Sequence, residues 1–431
     1  MLRILDLKNI FRALRNRNYR LFFTGQSLSL VGTWMQQIAL SWLVYRMTHS
    51  AFLLGVVGFA AQAPTFFLSP LAGIIADRYP KRRALVATQA LSMFQAFVLT
   101  FLIVSGQITV GHIIALSVFL GIVNGFDMPI RQAFTIEMVD TKDDLGNAIA
   151  LNSSIVNLAR LIGPSVAGIL IATVGEGVCF LINALSYIPV IVCLGAMRIF
   201  AKEVKEKSLD VVKEFKEGVF YAVRSVPIRH ILFLLVIVNF LGTPYQIFMP
   251  IFAREIFLGG PQTLSLLVAM AGAGALAGAV YLASRKSVVG LGRVIALSSG
   301  LFGLGLVLFS FSRILWFSLA VVFLSGFFMM VLMAASNTIL QTICEENMRG
   351  RIMSFYAMAF MGTVPFGNLL AGSVASTIGA PLTLCLGGIC CVLGSLGFAS
   401  QLAAVRKAIR PIYIQKGIIP QVVQGIQSAS G

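Results

Sequence analysis

The chain has 431 residues, of which 58% are hydrophobic and 11% are charged, and its mean hydropathy is +0.90. Soluble proteins carry about 25% charged residues, so a chain this apolar cannot cover a water-facing surface and must have lipid as the solvent for much of its length. The net charge of +17 does not indicate nucleic-acid binding, because the charges are confined to short segments between apolar stretches long enough to span a bilayer.

The apolar stretches predict twelve membrane-spanning helices, each of about 20 residues or more. The seventh span is interrupted by Pro244 and Pro250. No strand pattern competes with these spans, so the predicted fold class is an all-α membrane protein. In chain order the predicted spans are 19–45, 52–76, 84–105, 111–135, 146–174, 177–197, 229–257, 261–284, 291–312, 314–341, 352–378 and 380–402.

The distribution of Lys and Arg predicts the orientation of these spans. With the N-terminus in the cytoplasm, Arg46, Arg254 and Arg313 lie outside and Arg160 lies within a span, which leaves 29 of the 33 basic residues in cytoplasmic segments. Such an excess in cytoplasmic loops sets the topology of membrane proteins. We therefore expect a multi-pass protein of the plasma (inner) membrane with both termini in the cytoplasm.

The two halves of the sequence are related by a constant shift of 204 positions. This shift places Gly146 on Gly350, Gly163 on Gly367, Gly168 on Gly372 and Gly175 on Gly379. Glycines that coincide over such a distance predict two parallel six-helix repeats. The predicted organisation is a cytoplasmic N-terminal segment (1–18), an N-terminal bundle (19–197), a cytoplasmic amphipathic linker (198–228), a C-terminal bundle (229–402) and a mobile cytoplasmic tail (403–431).

The sequence offers no catalytic apparatus, metal site or cofactor site. None of the six cysteines forms a CxxC pair, and the three histidines are scattered, so no metal-ligand cluster or Ser–His–Asp set is predicted. The nucleotide-cradling pattern Gly-x-x-x-x-Gly-Lys-Ser/Thr is also missing from the sequence. We therefore predict a protein that is not an enzyme and takes no cofactor.

The loop between spans two and three carries a dense group of charges. It reads Gly73, then Asp77 and Arg78, then Lys81 and Arg82. This order resembles the signature loop between the second and third helices of major facilitator superfamily transporters, although Pro80 stands where the usual pattern has Gly. The twelve spans, the repeat and the central linker extend the resemblance over nearly the whole chain.

Two further stretches resemble one branch of that superfamily, the enterobactin exporters and macrolide efflux pumps. They are the segment 121–134 in span four and the segment 160–168 in span five. The sequence departs from many proton antiporters of the superfamily at Ser117, where those proteins have an arginine. The resemblance implies a central cavity lined by spans one, four, seven and ten. It also implies that Asp77 docks at the start of span eleven when the cavity faces outward.

Charged residues inside the spans are scarce, and each costs about 2.5–3.5 kcal/mol at mid-bilayer unless it is paired. Asp127 in span four has two candidate partners, Arg131 one turn away and Arg160 in span five. One hypothesis is that Asp127 gains and loses a proton during transport while Arg160 moves between Asp127 and the substrate. The other is that these charges form a permanent latch between the two spans.

Polar side chains at helical spacing mark the predicted cavity, with the alternative that they hold helices together by hydrogen bonds. Gly163 and Pro164 predict a hinge or a static kink in span five. The cavity candidates are Gln26, Thr33, Trp34, Gln37, Asn124, Asn239, Thr243, Gln246, Met333 and Asn337.

The predicted function is secondary active transport: proton-coupled efflux of a medium-sized amphipathic compound of drug or siderophore type, by alternating access. The expected partners are membrane lipid, the small-molecule substrate and protons, without nucleic acid, and the protein is expected to be a monomer. The alternatives are an uptake symporter or a lipid flippase on the same fold, and a non-transporting membrane scaffold or sensor.

Overall fold

The protein is described here by a computed structural model that covers residues 11–139, 142–198, 211–285 and 287–419. Within those ranges, the side chains of 69–78, 142–143, 211–215 and 347 are not described.

Six long helices form the N-terminal half, and short loops connect them. The apolar run of each helix is ended by a charged or glycine-containing segment, as at Gly106 and Gly175, which adopt positive φ angles that glycine tolerates. The helices are α1 Arg17–Thr48, α2 Ala51–Arg78, α3 Lys81–Val104, α4 Val110–Glu137, α5 Lys142–Thr173 and α6 Glu176–Ala196.

The C-terminal half repeats this arrangement. Its helices are α7 Val226–Ile256, α8 Pro261–Ser284, α9 Leu291–Phe311, α10 Leu315–Ile343, α11 Met348–Ile378 and α12 Ala380–Ser400. The helix that opens α11 begins at Glu346, before the predicted start at 352.

Eleven helices of the described chain are long and apolar enough to cross a membrane, judged by length and composition alone. They are α2 to α12, so the all-α membrane fold is confirmed. Helix α1 is not among the eleven because its sequence is more polar, with three glutamine and three serine residues in Arg17–Thr48. Its 32 residues nevertheless exceed the length needed to span, and it packs against α5 and α6, which is consistent with the predicted twelve.

Helices α7 and α11 contain irregular turns. Wider π-helical turns occupy Val238–Gly242 and Phe252–Ile256 in α7 and Met358–Gly362 in α11. The predicted interruption of the seventh span is present, because Thr243 and Pro244 lie in a turn. Proline has no N–H to donate to the helix ladder, and π turns are common at functional sites of helices.

Two shorter amphipathic helices pack on the bundle: a linker helix, Val211–Arg224, and a tail helix, Leu402–Gln415. The expectation that the tail is mobile from 403 is wrong for this stretch. Val405, Ile409 and Tyr413 are spaced by four and share one buried face, and Lys416 Nζ donates to the carbonyl of Thr342 at 2.6 Å.

The end of the bundle that carries Lys81, Arg82, Arg198, Arg285 and Arg349 is called the basic face, and the other end the opposite face. The two halves meet along α2 with α11 and α5 with α8, with smaller contacts of α1 and α2 with α7 and of α1 with α8. The main contacts of α4 and α10 lie within their own halves.

Glycine allows the close approach of the halves near the opposite face. A side chain at Gly55 would lie 2.6 Å from the carbonyl oxygen of Asn368 and 3.0 Å from the Cα of Gly372. On the other side, a side chain at Gly168 would meet the hydroxyl of Ser265 at 2.4 Å. The halves are therefore in close contact near the opposite face.

Candidate functional site: intramembrane charges and the central cavity

Asp127 lies in a cluster between α3 and α4, and only 4% of its surface is exposed. Its Oδ1 accepts hydrogen bonds from Thr88 Oγ1 at 2.6 Å and from Gln89 Nε2 at 2.7 Å. Its Oδ2 is bound by the guanidinium of Arg131, one helical turn away. The carboxylate charge is thus compensated by one cation and two polar hydrogen-bond donors.

This geometry decides between the two partners left open by the sequence: Asp127 pairs with Arg131. The sequence analysis missed Thr88 and Gln89. A signal was present, because Thr88, Ser92 and Gln95 lie at spacings of four and three on one face of an otherwise apolar helix, and all three are buried.

Arg160 lies on α5, away from Asp127. Its guanidinium carbon stands 5.5 Å from the centroid of the Trp34 ring on α1, within cation–π range. It makes no ion pair with a carboxylate among the described residues. The side chain is half-buried, so the Arg160 charge is partly accessible and is met by the face of an aromatic ring rather than by an anion.

Helices from both halves converge on Arg160. Its backbone carbonyl contacts α8, where a side chain at Gly272 would lie 3.1 Å from the Arg160 oxygen. On α7, the buried Tyr245 lies within electrostatic range of the Arg160 charge. Arg160 therefore marks a point at which α1 and α5 of one half meet α7 and α8 of the other.

The predicted hinge at Gly163 and Pro164 lies next to this point. Helix α5 continues through Pro164 as a regular α-helix. A side chain at Gly163 would lie 2.6 Å from Trp34 Cβ and 2.9 Å from the carbonyl of Val31. In this conformation Gly163 permits the close packing of α5 on α1, and the hinge stays a prediction.

The predicted cavity residues fall into two groups. Thr33, Gln37, Asn124 and Gln246 are exposed in the middle of apolar helices, and Trp34, Thr243 and Asn337 are half-buried. Gln26, Asn239 and Met333 are buried between helices and do not reach open space in this conformation.

The second group is held by contacts inside the bundle. Asn239 Nδ2 donates to the carbonyl of Leu235 at 2.8 Å and lies 4.0 Å from Met333 Sδ, and Thr243 donates to Asn239 Oδ1. The backbone oxygen of Met333 accepts from the Tyr356 hydroxyl at 3.1 Å. Asn239 therefore binds a backbone carbonyl at the π turn of α7 and connects α7 to α10. This is the helix-joining role that the sequence left as the alternative.

A second buried network joins three helices of the N-terminal half. Gln36 Nε2 donates to Gln95 Oε1 at 3.1 Å, and Asn183 Nδ2 donates to Gln36 Oε1 at 2.8 Å. The sequence analysis selected the neighbouring Gln37, which is exposed. The rotation of α1 decides which of two adjacent glutamines faces the bundle, and a sequence does not contain that rotation.

The charged loop between α2 and α3 is described in part. Lys81 Nζ binds Glu137 Oε1 at 2.7 Å, and Arg82 donates to the carbonyl of Met197 at 2.7 Å. Gly73 lies in α2, and the side chains of Asp77 and Arg78 are not described, so docking of Asp77 on α11 stays a prediction.

At the opposite face, α1 of one half contacts α7 of the other through polar groups. The Tyr45 hydroxyl donates a hydrogen bond to Glu255 Oε1, and Arg254 stands 6.0 Å from the centroid of the Trp42 ring. Sequence analysis did not single out these residues, because Tyr and Trp near span ends are typical of the membrane interface.

Comparison with known proteins agrees with this architecture. A family model described as a transmembrane secretion effector of the major facilitator type matches residues 9–412. The chain belongs to this family. Its members are transporters, so the resemblance derived from the sequence is confirmed at the level of superfamily and branch.

Curated relatives of this family cover most of the chain. The staphyloferrin A transporter of Staphylococcus aureus is 28% identical over 378 residues, 85% of this chain and 92% of that protein. The macrolide efflux protein A of Streptococcus pyogenes is 21% identical over 405 residues, 88% and 97% of the two chains. The multidrug efflux pump Tap of Mycolicibacterium fortuitum is 23% identical over 361 residues, 80% and 86% of the two chains.

Solved structures share the fold at low sequence identity. The nucleoside transporter NupG superposes with a TM-score of 0.70 at 12% identity, over 90% of this chain and 99% of that chain. The transporter PepTSo of the POT family gives a TM-score of 0.70 at 12% identity, over 91% and 99%. These likenesses establish the two-bundle transporter fold.

Proposed function

We propose that this transporter exports a medium-sized amphipathic compound across the inner membrane by alternating access, driven by inward proton flow, with its basic face in the cytoplasm. The observation that carries the proposal is the asymmetric contact between the halves. They contact each other along α2–α11 and α5–α8, with glycines making the contact close near the opposite face, whereas α4 and α10 make their main contacts within their own halves. A cavity open toward the basic face can load its substrate from the cytoplasm.

The exposed mid-helix side chains support an amphipathic substrate. Thr33, Gln37, Asn124 and Gln246 supply neutral hydrogen-bonding groups, and Trp34 supplies an aromatic surface. Such a mixture fits compounds with an apolar body and several polar groups. The relatives named for staphyloferrin A and for macrolides support siderophore-like or drug-like compounds.

Asp127 is our candidate for the proton-coupling acid. Its carboxylate is buried inside a described span, away from the helix ends, and its charge is held by Arg131, whereas the buried Glu176 is the first residue of α6 and pairs with Arg46. Protonation of Asp127 releases Arg131, and the changed contact between α3 and α4 alters the packing of the N-terminal half. We further propose that Asp77, Arg78 and Gly73 of the signature loop bind α11 when the basic face closes.

The test is efflux from proteoliposomes under an imposed pH gradient. Asp127→Asn abolishes the gradient-driven component while the protein remains inserted. Full gradient-driven efflux by Asp127→Asn would remove Asp127 from the coupling role.

A lipid flippase is the second candidate, because an apolar cavity of about 470 Å³ opens beside the basic face. It is lined by the linker helix, α7 and α11, with Val219, Val223, Phe240, Phe355 and Phe366 on its walls. Reversing the pH gradient in the same vesicles separates export from uptake. Transfer of a fluorescent lipid between leaflets, measured by dithionite quenching, identifies a flippase.

A further inference from the structure

We propose that Arg160 and Trp34 form a subsite for a carboxylate of the transported compound, so that the substrate is an amphipathic organic acid. The inference rests on the proposed transport function and narrows its substrate class from amphipathic compounds in general to those carrying an anionic oxyacid group.

The charge of Arg160 has no compensating carboxylate in the described chain. Arg160 lies about 20 Å from the opposite-face end of α5, at 1.5 Å per residue, which is deep in the membrane. A cation at this depth is costly unless a partner compensates it. Arg131, the other cation deep in a described span, has Asp127, whereas Arg160 has no carboxylate partner in the described chain.

The charge of Asp127 is compensated without Arg160. Both oxygens of Asp127 are already bound, by Thr88, Gln89 and Arg131. A scheme in which Arg160 rests on Asp127 between transport cycles therefore has no support in this conformation. The counter-charge for Arg160 must come from outside the described protein groups.

The planar shape of the Arg160 guanidinium suits it to bind a carboxylate. The planar guanidinium group binds a carboxylate through two parallel hydrogen bonds when its N–H groups have no other partner. Arg160 stands 5.5 Å from the Trp34 centroid and makes no hydrogen bond to a described residue. Trp34 then offers apolar area for the part of the substrate next to its acid group.

Arg160 lies where the two halves of the protein contact each other. Arg160 lies on α5 where its backbone contacts α8 at Gly272, and its charge reaches Tyr245 on α7. Both of these helices belong to the other half. A ligand held here touches the interface about which the halves rotate, which is where superfamily folds place binding sites.

The experiment measures binding of 4-phenylbutyrate and of its uncharged isostere, 4-phenylbutyramide, to the full-length protein in phosphatidylcholine nanodiscs. Replacement of the other two tryptophans (Trp42→Phe and Trp316→Phe) leaves Trp34 as the single fluorescent reporter. Equilibrium binding of the radiolabelled acid is measured in parallel, because changes at Arg160 alter Trp34 emission by themselves.

We expect the acid to bind at least about tenfold more tightly than the amide, because a hydrogen bond between charged groups exceeds a neutral one by this order. Arg160→Gln removes that preference, and Arg160→Lys keeps part of it, since lysine has the charge without the planar fork. The matched control is Arg254→Gln, which removes at the opposite face the guanidinium that stands above the ring at position 42 (Trp42 in the native chain, Phe in the reporter variant) and leaves the preference intact.

Three outcomes overturn the proposal: no saturable binding of the acid, equal binding of acid and amide, or a preference that survives Arg160→Gln. The proposal is also wrong if an Arg160-dependent change in Trp34 emission occurs only with phosphatidylglycerol in the disc, because the recognised group is then a lipid phosphate.

The failure of the proposed function gives a different result. If the wild-type protein drives no transport of the radiolabelled acid under any pH gradient but binds it through Arg160, the subsite stands and proton-driven export fails. If ethidium efflux is normal and the acid is not preferred, export stands and the carboxylate subsite fails.

Discussion

Two arginines inside the spans have opposite environments in this protein. Arg131 lies one turn from a carboxylate that it neutralises, and Arg160 lies over an indole ring with no anion in the described chain. Because a buried charge without a partner is the costly state, the consequence of removing each arginine differs. Loss of Arg131 leaves the buried charge of Asp127 without a cation, whereas loss of Arg160 leaves no described carboxylate without its partner.

This difference predicts the stability of three variants. Arg131→Gln lowers stability by about 3–5 kcal/mol, because it leaves the buried Asp127 charge without its cation. Asp127→Asn combined with Arg131→Gln recovers most of that loss, and Arg160→Gln costs less than Arg131→Gln. Midpoints of thermal unfolding in detergent give the ranking. Additive losses in the double variant would show that the two groups do not interact.

At the scale of helices, close packing inside the C-terminal half depends on small residues. A side chain at Gly326 on α10 would lie 2.1 Å from the carbonyl oxygen of Ala271 on α8, and one at Gly274 would lie 1.9 Å from the carbonyl of Phe323. Helices in lipid gain stability from such van der Waals contact, since burial from water does not drive their association.

We therefore expect Gly326→Ala to separate α8 from α10 and to lower the unfolding midpoint. Gly350→Ala is the matched control, since a side chain there meets nothing within 4 Å. Alanine is favoured over glycine in a helix by about 1 kcal/mol, so the control keeps or raises the midpoint. Equal midpoints for the two variants would show that the helices can move apart without cost.

At the scale of the whole molecule, alternating access requires the closed contact of α2 with α11 to open. Phe59 on α2 and Phe366 on α11 have ring centroids 5.6 Å apart and belong to different halves. Tyr281 and Phe327 have centroids at the same distance, 5.6 Å, within the C-terminal half. The two pairs distinguish motion between the halves from motion within one half.

In a variant without the six native cysteines, we expect a short bifunctional thiol reagent to block transport by Phe59→Cys/Phe366→Cys. The same reagent on Tyr281→Cys/Phe327→Cys leaves transport intact, because that link does not join the halves. Efflux before linking, after linking and after reduction is measured in vesicles. Undiminished efflux with the halves linked would contradict rocking about this interface.

The sequence alone determined the membrane-spanning character, the helix positions within a few residues and the superfamily. It also showed that Asp127, Arg131 and Arg160 are charged residues inside the spans. Hydropathy and charge act along the chain, so a linear pattern is enough to read them. The tertiary structure decided that Asp127 binds Arg131, Thr88 and Gln89, that Gln36 rather than Gln37 faces inward, and that the halves close away from the basic face. These features depend on how each helix is rotated and how deeply it sits against its neighbours, which van der Waals packing in lipid sets and hydropathy does not encode.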